Sequence, residues 1–244
     1  AAMKDTFLKN EVYPIHFMYD TGMLEELKDI LGFKNQELSN KVGAFTDYTD
    51  RILEWATRKV GGALWREMKS DACTPFTRVT SDGTYFLTRL ADYLKNSTHI
   101  QLHIVGHSAG SIFQAHSLAR LFKIDETLKV DSLHLMAPAI SYPLFNETLA
   151  PLIESEHIAS TTVYNLSGPL EKDDHVARIY QKSLLYLVSN AFESKTAMPL
   201  LGMAAFNAPI ANVTFKYSEG KEGDSTAATS HGGFDSDVDT MNSV

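Results

Sequence analysis

Ser108 lies at the centre of Gly106-His107-Ser108-Ala109-Gly110, the stretch of this chain best suited to chemistry. A serine hydroxyl is a weak nucleophile at neutral pH. It attacks a carbonyl carbon when a neighbouring base takes its proton and an acceptor orients that base. The chain supplies both kinds of partner downstream. Carboxylates cluster in Ser167-Gly168-Pro169-Leu170-Glu171-Lys172-Asp173-Asp174-His175-Val176, and a histidine follows in His231-Gly232-Gly233. The order serine, acid, histidine is the one expected when the serine sits in a G-x-S-x-G turn.

The flanks give that pentapeptide its meaning. Residues 99–105 alternate and end in Ile104-Val105, which predicts a buried strand. Ser111–Phe122 place Ile112, Ala115, Leu118, Ala119 and Phe122 at helical spacing. Strand, G-x-S-x-G, helix is the setting in which the serine occupies a sharp, strained turn with its hydroxyl exposed. The two outer glycines are expected to remove Cβ atoms that would meet the strand and helix. The helix N-terminus is expected to offer N–H groups to a developing oxyanion.

The rest of the sequence reads as the elements that must hold this turn. Val12–Tyr19 is a strand candidate, followed by Asp20-Thr21-Gly22 and a helix over Met23–Leu31. A long amphipathic helix runs from about Leu38 to Lys69, and another covers Thr84–Lys95. After the serine come a strand at 130–138, a helix at Phe145–Glu154 and a strand at Thr161–Leu166. A helix at Ala177–Phe192, a last strand at 212–217 and a Gly/Ser/Thr-rich loop at 218–230 lead to His231. Strands alternating with helices predict an α/β fold with a mostly parallel sheet flanked by helices. With 244 residues, a single domain over 1–244 is expected. Its helical segment at about 32–98 is either ordinary packing or a lid.

With strand, elbow, acid loop and late histidine in this order, the chain resembles the α/β-hydrolase fold superfamily, of the serine esterase/lipase type. The resemblance spans Val12 to His231 and is anchored at 106–110. It implies Ser108 as nucleophile and His231 as the base that later acts as acid. It also implies an acid in the 167–176 loop. Asp173 fits an Asp-x-x-aliphatic pattern ahead of Asp174, with Glu171 third. Ala109 is implied as one oxyanion donor, and Thr21 or Gly22 as the second. The expected activity is hydrolysis of a carboxylic ester through an acyl-enzyme, without cofactor or metal. The alternatives are an acyltransferase using the same residues, or a binding module that keeps only the fold. Three departures stand out. Tyr19-Asp20-Thr21-Gly22 replaces the usual His-Gly turn, the first two strands are absent, and no clear strand lies between Val12–Tyr19 and the elbow strand.

Other chemistries find less support. The net charge of -8 and the lack of a basic run argue against nucleic acid as a partner. A small ester or acyl substrate is expected instead, with no integral membrane segment. One cysteine, Cys73, excludes an internal disulfide framework and fits a cytoplasmic location. Of nine histidines, His16, His103 and His134 fall in strands and read as packing residues, and His107 reads as structural or steric. Asp235, Asp237 and Asp239 alternate loosely like a calcium loop but lack its glycine and distal glutamate, so helix capping is expected.

Overall fold

A computed structural model describes residues 46–97 and 99–244, together with Phe7, residues 9–17 and Asp29. The elements are α1 (Thr46–Cys73), α2 (Asp82–Lys95), β1 (His103–His107), α3 (Gly110–Ile124), β2 (Ser132–Met136) and α4 (Tyr142–Glu154). They continue with β3 (Thr161–Leu166), α5 (Gly168–Asp173), α6 (Leu184–Leu187), β4 (Val213–Ser218) and α7 (Val238–Ser243). The fold is α/β. Among the described residues the sheet has four strands in the order β1-β2-β3-β4, every neighbouring pair parallel.

The strand sequences explain their burial. Ser132–Met136 is buried at every position, and Val163, Tyr164 and Asn165 of β3 are fully covered, as expected for parallel strands beneath helices. The register sets His107 beside Met136, and Met136 beside Tyr164, so the strands end on a common edge. Ligand-handling loops of parallel sheets emerge at that edge. Helix α3 buries Ile112, Ala115, Leu118 and Leu121. Helix α4 starts at Ser141, whose hydroxyl accepts from the Leu144 N–H. Tyr164 donates its hydroxyl to the Ser243 carbonyl of α7 at 2.7 Å, while the next residue, Asn165, donates to the Leu201 carbonyl at 3.1 Å.

Helix α1 is a full member of the core. Leu53, Trp65, Met68 and Ala72 are buried, and the Trp65 indole N–H and Lys69 ammonium reach opposite oxygens of Glu193 at 2.7 and 2.8 Å. Gly61 lets the helix touch the π-turn at Val188–Phe192: a Cβ there would stand 2.1 Å from the Phe192 ring. No helix among the described residues is long and apolar enough to cross a membrane.

Three expected elements differ. The strand before the serine, expected to be buried over 99–105, runs over His103–His107 and leaves His103 and Val105 exposed, because β1 is an end strand of the four among the described residues. Residues 12–17 form no strand, with Tyr13 at 87% exposure. Pro14 removes a ladder donor there, and the Phe17 ring packs on Phe86 and Phe113 instead. Met18 and Tyr19, the helix expected at Met23–Leu31 apart from Asp29, and residues 38–45 lie outside the described residues. The helix expected over Ala177–Phe192 is confined to α6 and the π-turn after it. Ala177 and Arg178 take positive φ, 55° and 58°, where a helix cannot run. Contacts with α1 override the apolar periodicity. Buried Tyr180 donates to Glu54 at 2.6 Å, and the Gln181 N–H donates to Asp50 at 3.0 Å.

Candidate active site

Ser108 occupies the turn between β1 and α3 with φ 52°, a left-handed conformation that a residue bearing a Cβ avoids. Four hydrogen bonds hold it there. Its N–H donates to Met136 O at 2.9 Å. Its carbonyl accepts from Ser111 N at 3.1 Å, Ala139 N at 3.0 Å and the Ser111 hydroxyl at 2.6 Å. The Ser111 hydroxyl in turn accepts from Ile140 N at 3.0 Å, tying the turn to the loop after β2.

The two glycines of the motif are not equivalent. A Cβ on Gly106 would stand 3.2 Å from backbone atoms of Gly110 and Ser111, because strand and helix cross there. A Cβ on Gly110 meets nothing within 4 Å, so the expected collision at that position does not occur. Gly110 is already the first residue of α3, with space beside it.

His231 comes to the serine from the other side. Its Nε2 lies 2.8 Å from Ser108 Oγ, and the residue is 8% exposed. Burial, and then the nearby His107 ring, hold its imidazole down to about 3, so it is neutral across the ordinary pH range. A neutral ring that accepts the serine proton on Nε2 carries its own proton on Nδ1. The long loop bringing it there is pinned at three points. Ser218 Oγ donates to Ala228 O at 2.6 Å, Thr226 and Thr240 hydroxyls meet at 2.7 Å, and Ala227 N donates to Asp237 at 2.8 Å. Asp237 also accepts from the Thr240 N–H and thereby caps α7.

The structure separates the two aspartates of the acidic loop by position. Asp173, favoured from its spacing, is the last residue of α5 and is exposed. Asp174 ends the helix in extended geometry, φ -70° and ψ 168°, and turns toward His231. Its Oδ2 accepts from the main-chain N–H of His231 at 2.8 Å, and its Oδ1 from the N–H of His175 at 2.8 Å. Glu171 is buried, with one oxygen accepting from Ala204 N at 3.1 Å and the other without a hydrogen bond. Burial raises its carboxyl to about 7.

Among the expected oxyanion donors, Ala109 immediately precedes α3, with φ -62° and ψ -21°. Its N–H and that of Gly110 fall at the open end of the helix, ahead of Ser111 and Ile112, whose N–H groups bond to Ser108 and Ala109 carbonyls. Thr21 and Gly22 lie outside the described residues.

His107 is the residue that sequence reasoning undervalued. Its Nε2 donates to the His231 carbonyl at 2.9 Å, and the two rings lie 5.6 Å apart. The available signal was its place: as the last residue of β1 it faces the sheet edge from which the His231 loop returns. Among the described residues no group of three or more His, Cys, Asp or Glu is placed to hold a metal ion. No protein-family model, curated protein or solved structure matches this chain.

Proposed function

We propose that this chain is a serine hydrolase of the α/β-hydrolase type that cleaves carboxylic esters through an acyl-enzyme. One observation carries the reading: a serine in left-handed backbone geometry, at a strand-to-helix turn, lies 2.8 Å from a buried, neutral histidine. The Ser108 proton passes to His231 Nε2 as Oγ bonds to the ester carbonyl carbon. The resulting oxyanion faces the Ala109 N–H at the open end of α3. Collapse breaks the carbon–oxygen bond of the ester, and the leaving alkoxide takes the proton from His231. Water then reverses the sequence and frees the acid.

Labelling with a fluorophosphonate, followed by mass mapping, tests this. Ser108 is the expected site, and labelling falls at least about a thousandfold in His231→Ala. A folded wild-type protein that stays unlabelled sinks the reading and favours a binding role.

A further inference from the structure

We infer that Asp174 and His107 are positioning residues that grip the main chain of His231 from both sides, leaving Ser108 and His231 as the only reacting side chains. The inference rests on the serine-hydrolase reading above and departs from a triad in one respect: the carboxylate serves the peptide group, not the imidazole.

Both oxygens of Asp174 are occupied by main-chain N–H groups, those of His231 and His175, each at 2.8 Å. On the far side of the same residue, the His231 carbonyl is met by His107 Nε2 at 2.9 Å. A carbonyl has no proton to give, so that nitrogen of His107 must carry one. The peptide groups before and after His231 are thereby fixed, and side-chain rotation is all that remains to aim the ring. Neither of the other acids in the loop takes over the ring. Asp173 is exposed at the end of α5, and Glu171 spends its bonded oxygen on Ala204 N. No hydrogen bond joins His231 Nδ1 to a carboxylate among the described residues. The ring is kept in its basic form by burial, which needs no carboxylate partner.

The arrangement also couples the two halves of the site. His107 ends the strand that leads into the nucleophile turn, and Asp174 ends α5, the helix that follows β3. His231 is thus referenced to both, and a shift of either changes the Ser108–His231 distance.

The test compares Asp174→Asn with Asp174→Ala, and His107→Gln with His107→Leu. Three quantities are read: fluorophosphonate labelling rate, kcat and KM on a p-nitrophenyl ester, and hydrogen exchange at the His231 amide. Asparagine keeps an oxygen for the His231 N–H, so Asp174→Asn should lose roughly three- to tenfold in kcat through a weaker, uncharged bond. Asp174→Ala should lose at least about tenfold more and release the His231 amide to exchange. His107→Gln, with an amide N–H in reach of the same carbonyl, should stay closer to wild type than His107→Leu. KM should change little in all four.

If Asp174 instead serves the ring, Asp174→Asn falls by about 10⁴-fold, as in Ser-His-Asp enzymes, with its amide protection intact. That result overturns the inference. Should the folded wild-type protein fail to label, the hydrolase reading fails separately. The exchange arm still decides the grip: unchanged protection in Asp174→Ala overturns it.

Discussion

Two side chains carry the proposed reaction, and each is held in a state that it would not adopt in water. Ser108 is in left-handed backbone geometry, which costs about 1–2 kcal/mol for a residue with a Cβ and is offset by the four bonds that hold it. His231 is buried to 8% exposure and held at about 3, well below an ordinary imidazole near 6.5. The consequence for pH runs in one direction. The base works only when unprotonated, so the rate is lost as pH falls through the folded-state value, not through 6.5. Labelling of Ser108 and kcat/KM should therefore stay on a plateau from pH 8 down to about 5, with the acid limb centred near 3. Circular dichroism recorded alongside separates loss of catalysis from unfolding. A midpoint near 6.5 in a folded protein would show that the ring is solvated in the working enzyme and refute this account of its basicity.

At the scale of elements, the turn depends on how closely β1 and α3 approach, and the glycines divide that task unequally. Gly106→Ala forces a Cβ to 3.2 Å from backbone atoms of Gly110 and Ser111, and backbone cannot swing aside as a side chain does. The substitution should cost about 1–3 kcal/mol and at least tenfold in labelling as the turn opens. Gly110→Ala enters empty space at the first residue of α3 and should leave the urea midpoint unchanged or raise it, by up to about 1 kcal/mol in stability. Equal losses in the two variants would contradict this division. The pentapeptide was legible in sequence because strand, turn and helix are all local: the strand expected at Thr161–Leu166 forms residue for residue, and α3 extends from Gly110 to Ile124. By contrast, β1 begins only at His103 and is more exposed than its apolar run suggests, since burial depends on which strands lie beside it. What the sequence could not reveal was tertiary. The apolar spacing of 177–192 suits a helix, yet Tyr180 and Gln181 are drawn off to Glu54 and Asp50 on α1, far away in the chain. Asp173 and Asp174 are the same residue type at adjacent positions, and only the direction in which α5 terminates separates them.

Across the whole molecule, two buried titratable groups near the site pull stability in opposite directions as pH changes. His231 is kept neutral in the fold but protonates freely when unfolded, so between about 3 and 6.5 the unfolded chain binds more protons and stability rises with pH. Glu171 does the reverse. Burial raises it from 4.5 to about 7, with the Asp174 charge adding to the rise. Across that interval the folded state binds the extra proton, so stability falls as pH climbs, and above 7 the full penalty of a buried carboxylate is present. One Glu171 oxygen meets the Ala204 N–H while the other lacks a hydrogen bond, so the charge is poorly compensated. Glu171→Gln keeps an oxygen for Ala204 and removes the ionisation. Measured by urea unfolding, the variant should exceed wild type by up to about 3 kcal/mol at pH 8. The gap should close toward pH 4.5, where the wild-type carboxyl is already protonated in the fold. A difference that is the same at both pH values would mean that Glu171 does not titrate in this interval, and its exchange for glutamine would then report on packing alone. Glu171 lies three residues before Asp174, so the segment that carries this aspartate bears the full cost of a buried carboxylate above about pH 7 and is relieved of it toward about pH 5, where His231 is still neutral.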